Sequence, residues 1–442
     1  MAVKRSLLET TQPRSTSDDR RTAPEALERE PRVRSNLAVR PAPDDARPIH
    51  FPGLNGVRFL AAFVVLIYHV EVFKYFSGVP SAVASASLRV LGPQGVTCFF
   101  TLSGFLVTYL LLEEARRAGS VVIGKFYARR ILRIWPLYYL VLLLGFGVAV
   151  VFAERLGFPD AVNRPLGPQL ALYALLLPNL AWVSYGTLPF ASVLWSVGVE
   201  LQFYLGWPLL LRWFSRHALA LMLTTITVLV GARLALPQLA LWLQSGPEPD
   251  RAWLVALRLL DTFQLECMIL GGLAAHLVHV RAERALAILY HPAAQLGALA
   301  FVPVALLVAL DAGAFDDVIW GAAYALLILN VATNPRSLVN LERPSLDALG
   351  RISYGIYLYH SFAIAGVLLG LLWSKERALF DPSLPLFNLI LYASSIALTF
   401  GLAALSYRVY ELPFLRLKRH FTVVANESDA PRRGELRRVR AV

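Results

Sequence analysis

Long apolar runs recur along most of this sequence, and their length constrains the fold more than any other feature. A helix that crosses a bilayer needs about 20 apolar residues, and runs of that order fill most of the chain between residues 54 and 410. Hydrophobic residues make up 57% of the 442 residues and charged residues only 16%, which excludes an ordinary soluble domain. Because lipid offers no hydrogen-bond partners, such runs must be helical. We predict an all-α protein, a polytopic membrane helical bundle.

Ten of these runs are predicted to span the membrane. They lie near residues 54–76, 94–112, 135–153, 193–211, 218–236, 254–278, 293–310, 318–333, 352–373 and 386–410. An eleventh run, 169–183, is short and is interrupted by Pro178 and Asn179, so we predict a re-entrant or interfacial helix there. Counting it as a span would invert every later loop and place the basic C-terminal tail outside.

The positive charge of the chain indicates membrane topology. The formal net charge is +12, and most of the excess lies in the two tails and in short loops between apolar runs. With the N-terminus inside, the inner loops carry roughly twice as many Lys and Arg residues as the outer loops, as the positive-inside rule requires. We therefore expect a multi-pass protein of the cell inner (plasma) membrane with both termini cytoplasmic, and no nucleic-acid partner.

The two ends of the chain differ from the part between them. Residues 1–50 and 418–442 lack hydrophobic periodicity and are rich in arginine, so we expect a disordered basic cytoplasmic tail at each end. The membrane domain is expected to cover residues 51–417. Cys98 and Cys267 both lie within apolar runs, which argues against a disulfide and against a metal site.

The ionisable residues Arg58 and His69 lie within the otherwise apolar stretch 53–70 of the first run. They are eleven residues apart, about three helical turns, and so project from one face. Such side chains are costly in a membrane unless they are paired or face a cavity, which indicates a functional site. From the rise per residue, we expect Arg58 about 6 Å and His69 about 22 Å from the inner surface, with Glu200 of the fourth span about 20 Å from it.

The similar depth of His69 and Glu200 predicts that they pair. A carboxylate that holds an imidazole in one tautomer prepares it to accept a proton from a hydroxyl group. A purely structural contact between two helices explains the same two residues about equally well.

A second polar group precedes the third span. Arg130 and Arg133, at i and i+3, can present two guanidinium forks from one helical face to the phosphates of a cytosolic donor. Arg58, near the same inner level, can join them. Basic residues at an inner interface are more often simple anchors, but three converging arginines suit a pyrophosphate-bearing molecule better than a simple ion.

Five motifs, in order along residues 51–417, resemble the acyltransferase 3 family of bacterial integral membrane O-acyltransferases. They are the Asn-Gly-x-Arg segment with Arg58 and His69, CFFTLSGFL at 98–106, Arg130-Ile-Leu-Arg133, LWSVGVELQFYLGWPLL at 194–210, and SYGIYLYH at 353–360. Each motif alone is weak, whereas all five in order are specific. We expect the stand-alone form, without an appended hydrolase-like domain.

The resemblance implies transfer of an acyl group, commonly acetyl from acetyl-CoA, to a hydroxyl of a surface polysaccharide or another exported glycan or glycoside. His69 matches the essential histidine of the family, Arg58 the arginine before it, and Arg130 and Arg133 the paired arginines that meet the donor. Glu200 matches the first acidic residue of the Trp-Ser-x-x-x-Glu run. Family members often carry a second acidic residue next to it, where this chain has Leu201. The acyl-CoA is a co-substrate, and no bound cofactor is expected.

Further polar and aromatic residues are candidates for the wall of the same cavity, namely Ser103, Trp195, Ser196, Tyr357 and His360. Ser103 is also a candidate for a covalent acyl-enzyme, although a Ser-Gly pair in a membrane helix more often permits close packing. Our primary hypothesis is direct transfer with His69 as the base. The alternative is a sugar or lipid transporter, but the sequence has no clear internal repeat or matching pair of broken helices.

Overall fold

The computed structural model describes residues 49–152, 165–186, 188, 190–243, 251–376, 381–382 and 384–424. Within these ranges the chain is helical and has no β-strand, which confirms the all-α fold class. Nearly all of the predicted N-terminal tail, residues 1–48, lies outside the described residues, and so do residues 425–442 of the C-terminal tail.

Sixteen α-helices lie within the described ranges. They are α1 (Leu54–Phe76), α2 (Ala86–Ala118), α3 (Ile123–Phe152), α4 (Leu166–Ala174), α5 (Pro178–Tyr185), α6 (Leu194–Phe214), α7 (Ala218–Leu243), α8 (Arg251–Phe263), α9 (Leu265–His279), α10 (Glu283–Leu289), α11 (Pro292–Leu307), α12 (Asp316–Thr333), α13 (Pro344–Arg351), α14 (Ser353–Glu376), α15 (Pro385–Ser406) and α16 (Leu412–Leu417).

Seven helical runs among the described residues are long and apolar enough to cross a membrane, or eight if the bent pair α10–α11 forms one span. The protein is therefore multi-pass, while the predicted count of ten is not confirmed. One of the seven runs, Leu194–Trp242, is 49 residues long and contains both α6 and α7, whereas about 20 residues suffice for a span. The predicted span 254–278 is divided at Gln264, where a left-handed φ of 33° separates α8 from α9.

The centre of the bundle is formed by α2, which packs against α1, α9 and α12, while α14 packs against α1 and α15. The contact between α2 and α9 depends on glycine. A Cβ on Gly104 would overlap the carbonyl oxygen of Met268, and one on Gly271 would overlap that of Thr101. Small residues let membrane helices approach this closely. Since successive residues of a helix point about 100° apart, Gly104 facing α9 leaves its neighbour Ser103 to face a different helix.

The run predicted as a re-entrant or interfacial helix forms two short helices. α4 has nine residues and α5 has eight, so neither can span a bilayer. α5 lies directly on α6, because a Cβ on Gly198 would be 2.6 Å from Cδ of Pro178. The side-chain amides of Asn179 and Gln202 also exchange hydrogen bonds of 3.1 and 2.9 Å. The start of α6 is therefore packed against α5.

The chain remains in contact with the bundle just beyond the predicted boundary at residue 417. Residues Lys418–Phe421 form a 3-10 turn. The guanidinium of Arg129 on α3 donates to the carbonyl oxygen of Phe421 at 2.8 Å and to the carboxylate of Glu114 at 3.0 Å. The first residues of the predicted C-terminal tail are thus ordered against α3.

Candidate active site

A cavity between α1, α2, α3, α6 and α14 collects most of the polar residues singled out in the sequence. Its polar and aromatic lining consists of Arg58, Phe99, Phe100, Ser103, Arg130, Arg133, Ser196, Glu200, Ser353, Tyr204, Tyr354 and Tyr357. The three predicted donor-binding arginines and Glu200 therefore share one cavity. That they bind a donor stays a prediction.

Arg130 is held in the cavity wall by aromatic rings. Its guanidinium carbon lies 4.7 Å from the ring centroid of Tyr204 and 5.2 Å from that of Phe126. Its Nε is buried and has no hydrogen-bond partner among the described residues. Stacking on an aromatic face leaves the edge of a guanidinium, which carries its donors, in a fixed orientation. Such an edge is suited to a phosphate or carboxylate ligand.

The carboxylate of Glu200 accepts hydrogen bonds from two hydroxyl groups. Both the Ser103 hydroxyl of α2 and the Tyr204 hydroxyl of α6 donate to its Oε1. Tyr204 stands four residues after Glu200, so the two side chains lie on one face of α6. Tyr204 was not among the predicted site residues, although its i,i+4 spacing from Glu200 within the LWSVGVELQFYLGWPLL motif is a usable signal.

His69 is oriented by its own helix. Its Nδ1 lies 2.9 Å from the main-chain oxygen of Val65. A carbonyl oxygen can only accept, so Nδ1 carries the proton and Nε2 carries the lone pair. The ring of His69 lies 4.6 Å from that of His360, centroid to centroid. His360 is fully buried, and neither of its ring nitrogens has a hydrogen-bond partner among the described residues.

The predicted pair of His69 and Glu200 does not form. Gly92 and Gly95 of α2 contact Tyr68 and Val65 of α1, respectively, so the two helices run antiparallel. Ser103, which is bonded to Glu200, lies eight residues beyond Gly95, about 12 Å closer to the N-terminal end of α1. Glu200 therefore lies nearer the level of Arg58 than that of His69. The Val65 carbonyl, and not the Glu200 carboxylate, holds the His69 imidazole in one tautomer.

The predicted level of Glu200 is wrong because α6 begins inside the helical bundle. The Tyr357 hydroxyl donates to the carbonyl oxygen of Val193, directly before α6, at 3.2 Å. Phe190, three residues earlier, packs against Phe362 with ring centroids 5.5 Å apart. Tyr357 and Phe362 lie in the first half of α14. The start of α6 is thus inside the bundle, beside α5, which shifts Glu200 away from His69.

The remaining candidates for the cavity wall divide into two groups. Ser103, Ser196 and Tyr357 line the cavity, and the hydroxyls of Ser196 and Tyr357 lie 2.6 Å apart. Among the described residues, Trp195, His360 and His69 do not line it. Trp195 instead stacks on Trp182 of α5, centroids 5.2 Å apart. Tyr357 connects the two regions, because its ring centroid lies 6.0 Å from that of His360.

The sequence is similar to several bacterial proteins. It is 25% identical over 389 residues to a Staphylococcus aureus (strain COL) protein provisionally named an O-acetyltransferase, a match that covers 83% of this chain and 57% of the relative. It is 27% identical over 215 residues to a peptidoglycan O-acetyltransferase of Listeria monocytogenes, covering 46% of this chain and 31% of the relative.

A Bacillus subtilis protein provisionally named a peptidoglycan O-acetyltransferase is 26% identical over 333 residues, which is 70% of this chain and 48% of the relative. The chain thus spans about half the length of the curated relatives it matches, or less. No solved structure matches it. The sequence model of the acyltransferase domain of the acyltransferase 3 family matches residues 51–408. This match extends over most of the chain and includes every residue of the cavity, and the protein therefore belongs to the acyltransferase 3 family.

Proposed function

We propose that this protein is a membrane O-acyltransferase that moves an acyl group, acetyl above all, from acyl-CoA to a hydroxyl of a surface polysaccharide or another exported glycan or glycoside. The observation that carries the proposal is a cavity lined by three arginines and by Glu200, whose carboxylate accepts hydrogen bonds from two hydroxyl groups. Relatives named for peptidoglycan O-acetylation support the acceptor class. Family membership does not favour the transporter alternative.

Arg58, Arg130 and Arg133 bind the phosphates of the donor in this proposal. Guanidinium forks match phosphate oxygens in geometry and in charge. Acyl-CoA is cytosolic, so the N-terminal end of α1 faces the cytoplasm of an inner-membrane protein, in agreement with the basic loops on that side. His69 lies eleven residues after Arg58, about 16 Å along the helix. The extended pantetheine arm of the donor bridges this distance and carries the thioester past Tyr357 to His69.

His69 is the base. Its Nε2 accepts the proton of the acceptor hydroxyl while the hydroxyl oxygen attacks the carbonyl carbon of the thioester. The carbon–sulfur bond then breaks, and the imidazolium returns the proton to the leaving sulfur, giving the ester and free coenzyme A. The Nδ1 contact with Val65 keeps the same tautomer available for each cycle.

Glu200 holds the Ser103 and Tyr204 hydroxyls in the wall of the donor cavity. A serine hydroxyl bonded to a carboxylate is also what a covalent acyl-enzyme would require. However, an acyl group on Ser103 would lie about 12 Å from the level of Val65, out of reach of the base at His69. The mechanism that fits the observed positions of Ser103 and His69 is therefore direct transfer at His69, with Ser103 in the wall of the donor cavity.

The experiment is acyl transfer by purified protein in nanodiscs, with radiolabelled acetyl-CoA and glycan acceptors such as soluble muropeptides and surface oligosaccharides. We expect transfer by the wild-type protein and a loss of about 10²- to 10⁴-fold in His69→Gln. His217→Gln is the matched control, because His217 is exposed in the turn after α6. Sugar movement across vesicles without acyl transfer would refute the enzyme assignment, and full activity of His69→Gln would refute the role of the base.

A further inference from the structure

Residues 341–351, which are distant in sequence from α1, pack against its first turn. We call this segment, from Leu341 to the end of α13, the bracket. A Cβ on Gly56 would be 2.7 Å from Cβ of Leu341, and a Cβ on Gly350 would overlap the carbonyl oxygen of Asn55. The bracket and the first turn of α1 are thus packed with backbones in direct contact on two sides.

A chain of hydrogen bonds runs from the bracket into the cavity. The Asn55 side-chain nitrogen donates to Oδ1 of Asp347 at 2.7 Å, and the Asn55 side-chain oxygen accepts from Nη1 of Arg58 at 2.9 Å. Oδ2 of Asp347 accepts from Nη2 and Nε of Arg351 at 3.0 and 3.2 Å. Asn55 is buried at 8% exposure. Arg58, at the end of this series of hydrogen bonds opposite to Arg351, lines the cavity.

Only an amide fits the position of Asn55, between Asp347 and Arg58 in this series of hydrogen bonds. The position must accept from a guanidinium on one side and donate to a carboxylate on the other, and among side chains of this length only Asn does both. An aspartate there would face Asp347 with like charge. The glycine contacts already hold the bracket against α1, so the polar chain adds something that packing does not supply, namely a fixed direction for the guanidinium of Arg58.

We propose that Asn55 and Asp347 are positioning residues that orient Arg58 for a phosphate of the acyl-CoA donor. This inference rests on the proposed function of the cavity. An arginine has several flexible torsions, and holding it in place before the ligand arrives reduces the entropy lost on binding. A phosphate then meets a guanidinium whose plane is already set, so the bracket acts on donor affinity through Arg58 without touching the donor.

The test is the dissociation constant of coenzyme A, measured by titration calorimetry on the full chain in nanodiscs. Asn55→Leu keeps the side-chain shape and changes no charge. We expect it to weaken coenzyme A binding about five- to ten-fold, the effect of losing about one hydrogen bond. In an Arg58→Gln background the same substitution is expected to have no further effect, because the residue through which Asn55 acts is already absent.

Asp347→Asn provides a second variant should Asn55→Leu fail to fold. Asn55 and Arg351 donate to different oxygens of Asp347. An amide keeps only one of these oxygens and replaces the other with an NH2 group, so one of the two donors would lose its acceptor. Asp347 reaches Arg58 only through Asn55. Removing its negative charge would by itself favour binding of an anion near Arg58, so weaker binding in Asp347→Asn reports lost orientation. The control is Glu342→Gln, which removes a carboxylate from the same segment, where Glu342 forms an exposed pair with His50 at 2.8 Å.

The outcomes separate the inference from the function on which it rests. Weaker binding in Asn55→Leu and Asp347→Asn, unchanged binding in Glu342→Gln and a null effect in the Arg58→Gln background support the positioning role. Wild-type affinity in Asn55→Leu or tighter binding in Asp347→Asn overturns it while leaving the donor cavity intact, as does a full additional effect in the Arg58→Gln background. If the wild-type protein does not bind coenzyme A, the proposed donor itself is wrong.

Discussion

Replacing Arg130 with Gln probes donor binding where the structure gives the strongest contrast between two neighbouring residues. The guanidinium of Arg130 stacks on Tyr204 and Phe126 with its Nε buried in the cavity wall. Loss of one charge-assisted contact to a phosphate costs about 1.5 to 3 kcal/mol. This corresponds to a dissociation constant for coenzyme A that is about 10- to 150-fold higher. Arg130→Lys is expected to be intermediate, because an ammonium keeps the charge but loses the fork and the stacking.

Arg129 is the matched control for this measurement. It precedes Arg130 on α3 but does not line the cavity. Its guanidinium is bonded to Phe421 at 2.8 Å and to the buried carboxylate of Glu114 at 3.0 Å. Arg129→Gln leaves that carboxylate without its cation, which costs about 3 to 5 kcal/mol of stability. We therefore expect a lower unfolding temperature with an unchanged dissociation constant for coenzyme A.

Calorimetric titration of coenzyme A and thermal unfolding in detergent, on the same preparations, distinguish the two arginines. The two variants are expected to differ in both measurements. Arg130→Gln loses affinity for coenzyme A and keeps its unfolding temperature within a few degrees. Arg129→Gln keeps its affinity and unfolds at a lower temperature. If Arg130→Gln bound coenzyme A as tightly as the wild-type protein, the assignment of this cavity to the donor would be refuted.

Three further predictions follow from the contacts around the cavity. His360→Phe is expected to slow acyl transfer while coenzyme A affinity stays within about two-fold, because the His360 ring lies 4.6 Å from that of His69; an unchanged turnover rate would contradict this. Gly104→Ala should destabilise the protein by about 1 to 3 kcal/mol, because α9 occupies the space of the added Cβ, whereas Gly147→Ala, with open space around it, should not; equal unfolding temperatures would argue against this packing. Ser103→Ala should slow transfer less than His69→Gln does, and mass spectrometry of acid-quenched wild-type protein should find no acetylated Ser103.

The helical fold and most of the cavity lining could be predicted from local features of the sequence. Apolar runs of membrane length leave helices as the structure that satisfies the backbone. Arg130 and Arg133 share a helical face at i and i+3, and both line the same cavity as Arg58. Gly104 packs closely against α9, as its place in a Ser-Gly pair suggested.

The depth of Glu200 could not be obtained in this way. Counting residues along α6 gives a depth only if the start of the helix is known, and that start is set by the packing of α5 against α6 and of Phe190 against Phe362. Asn55 and Asp347 are 292 residues apart, so their contact has no local signature. Such tertiary contacts decide which polar groups meet, and here they separate His69 from the carboxylate expected beside it.

The most direct test of the reaction path is an experimental structure of the protein with coenzyme A bound. The path runs along α1 from Arg58 to His69, with donor phosphates at one end and the sulfur at the other. We expect phosphate oxygens within hydrogen-bond distance of Arg130 or Arg133 and the sulfur within about 4 Å of Nε2 of His69, as a near-attack geometry requires. A sulfur that stops beside Ser103 and Glu200, or phosphates bound outside the cavity, would contradict the account.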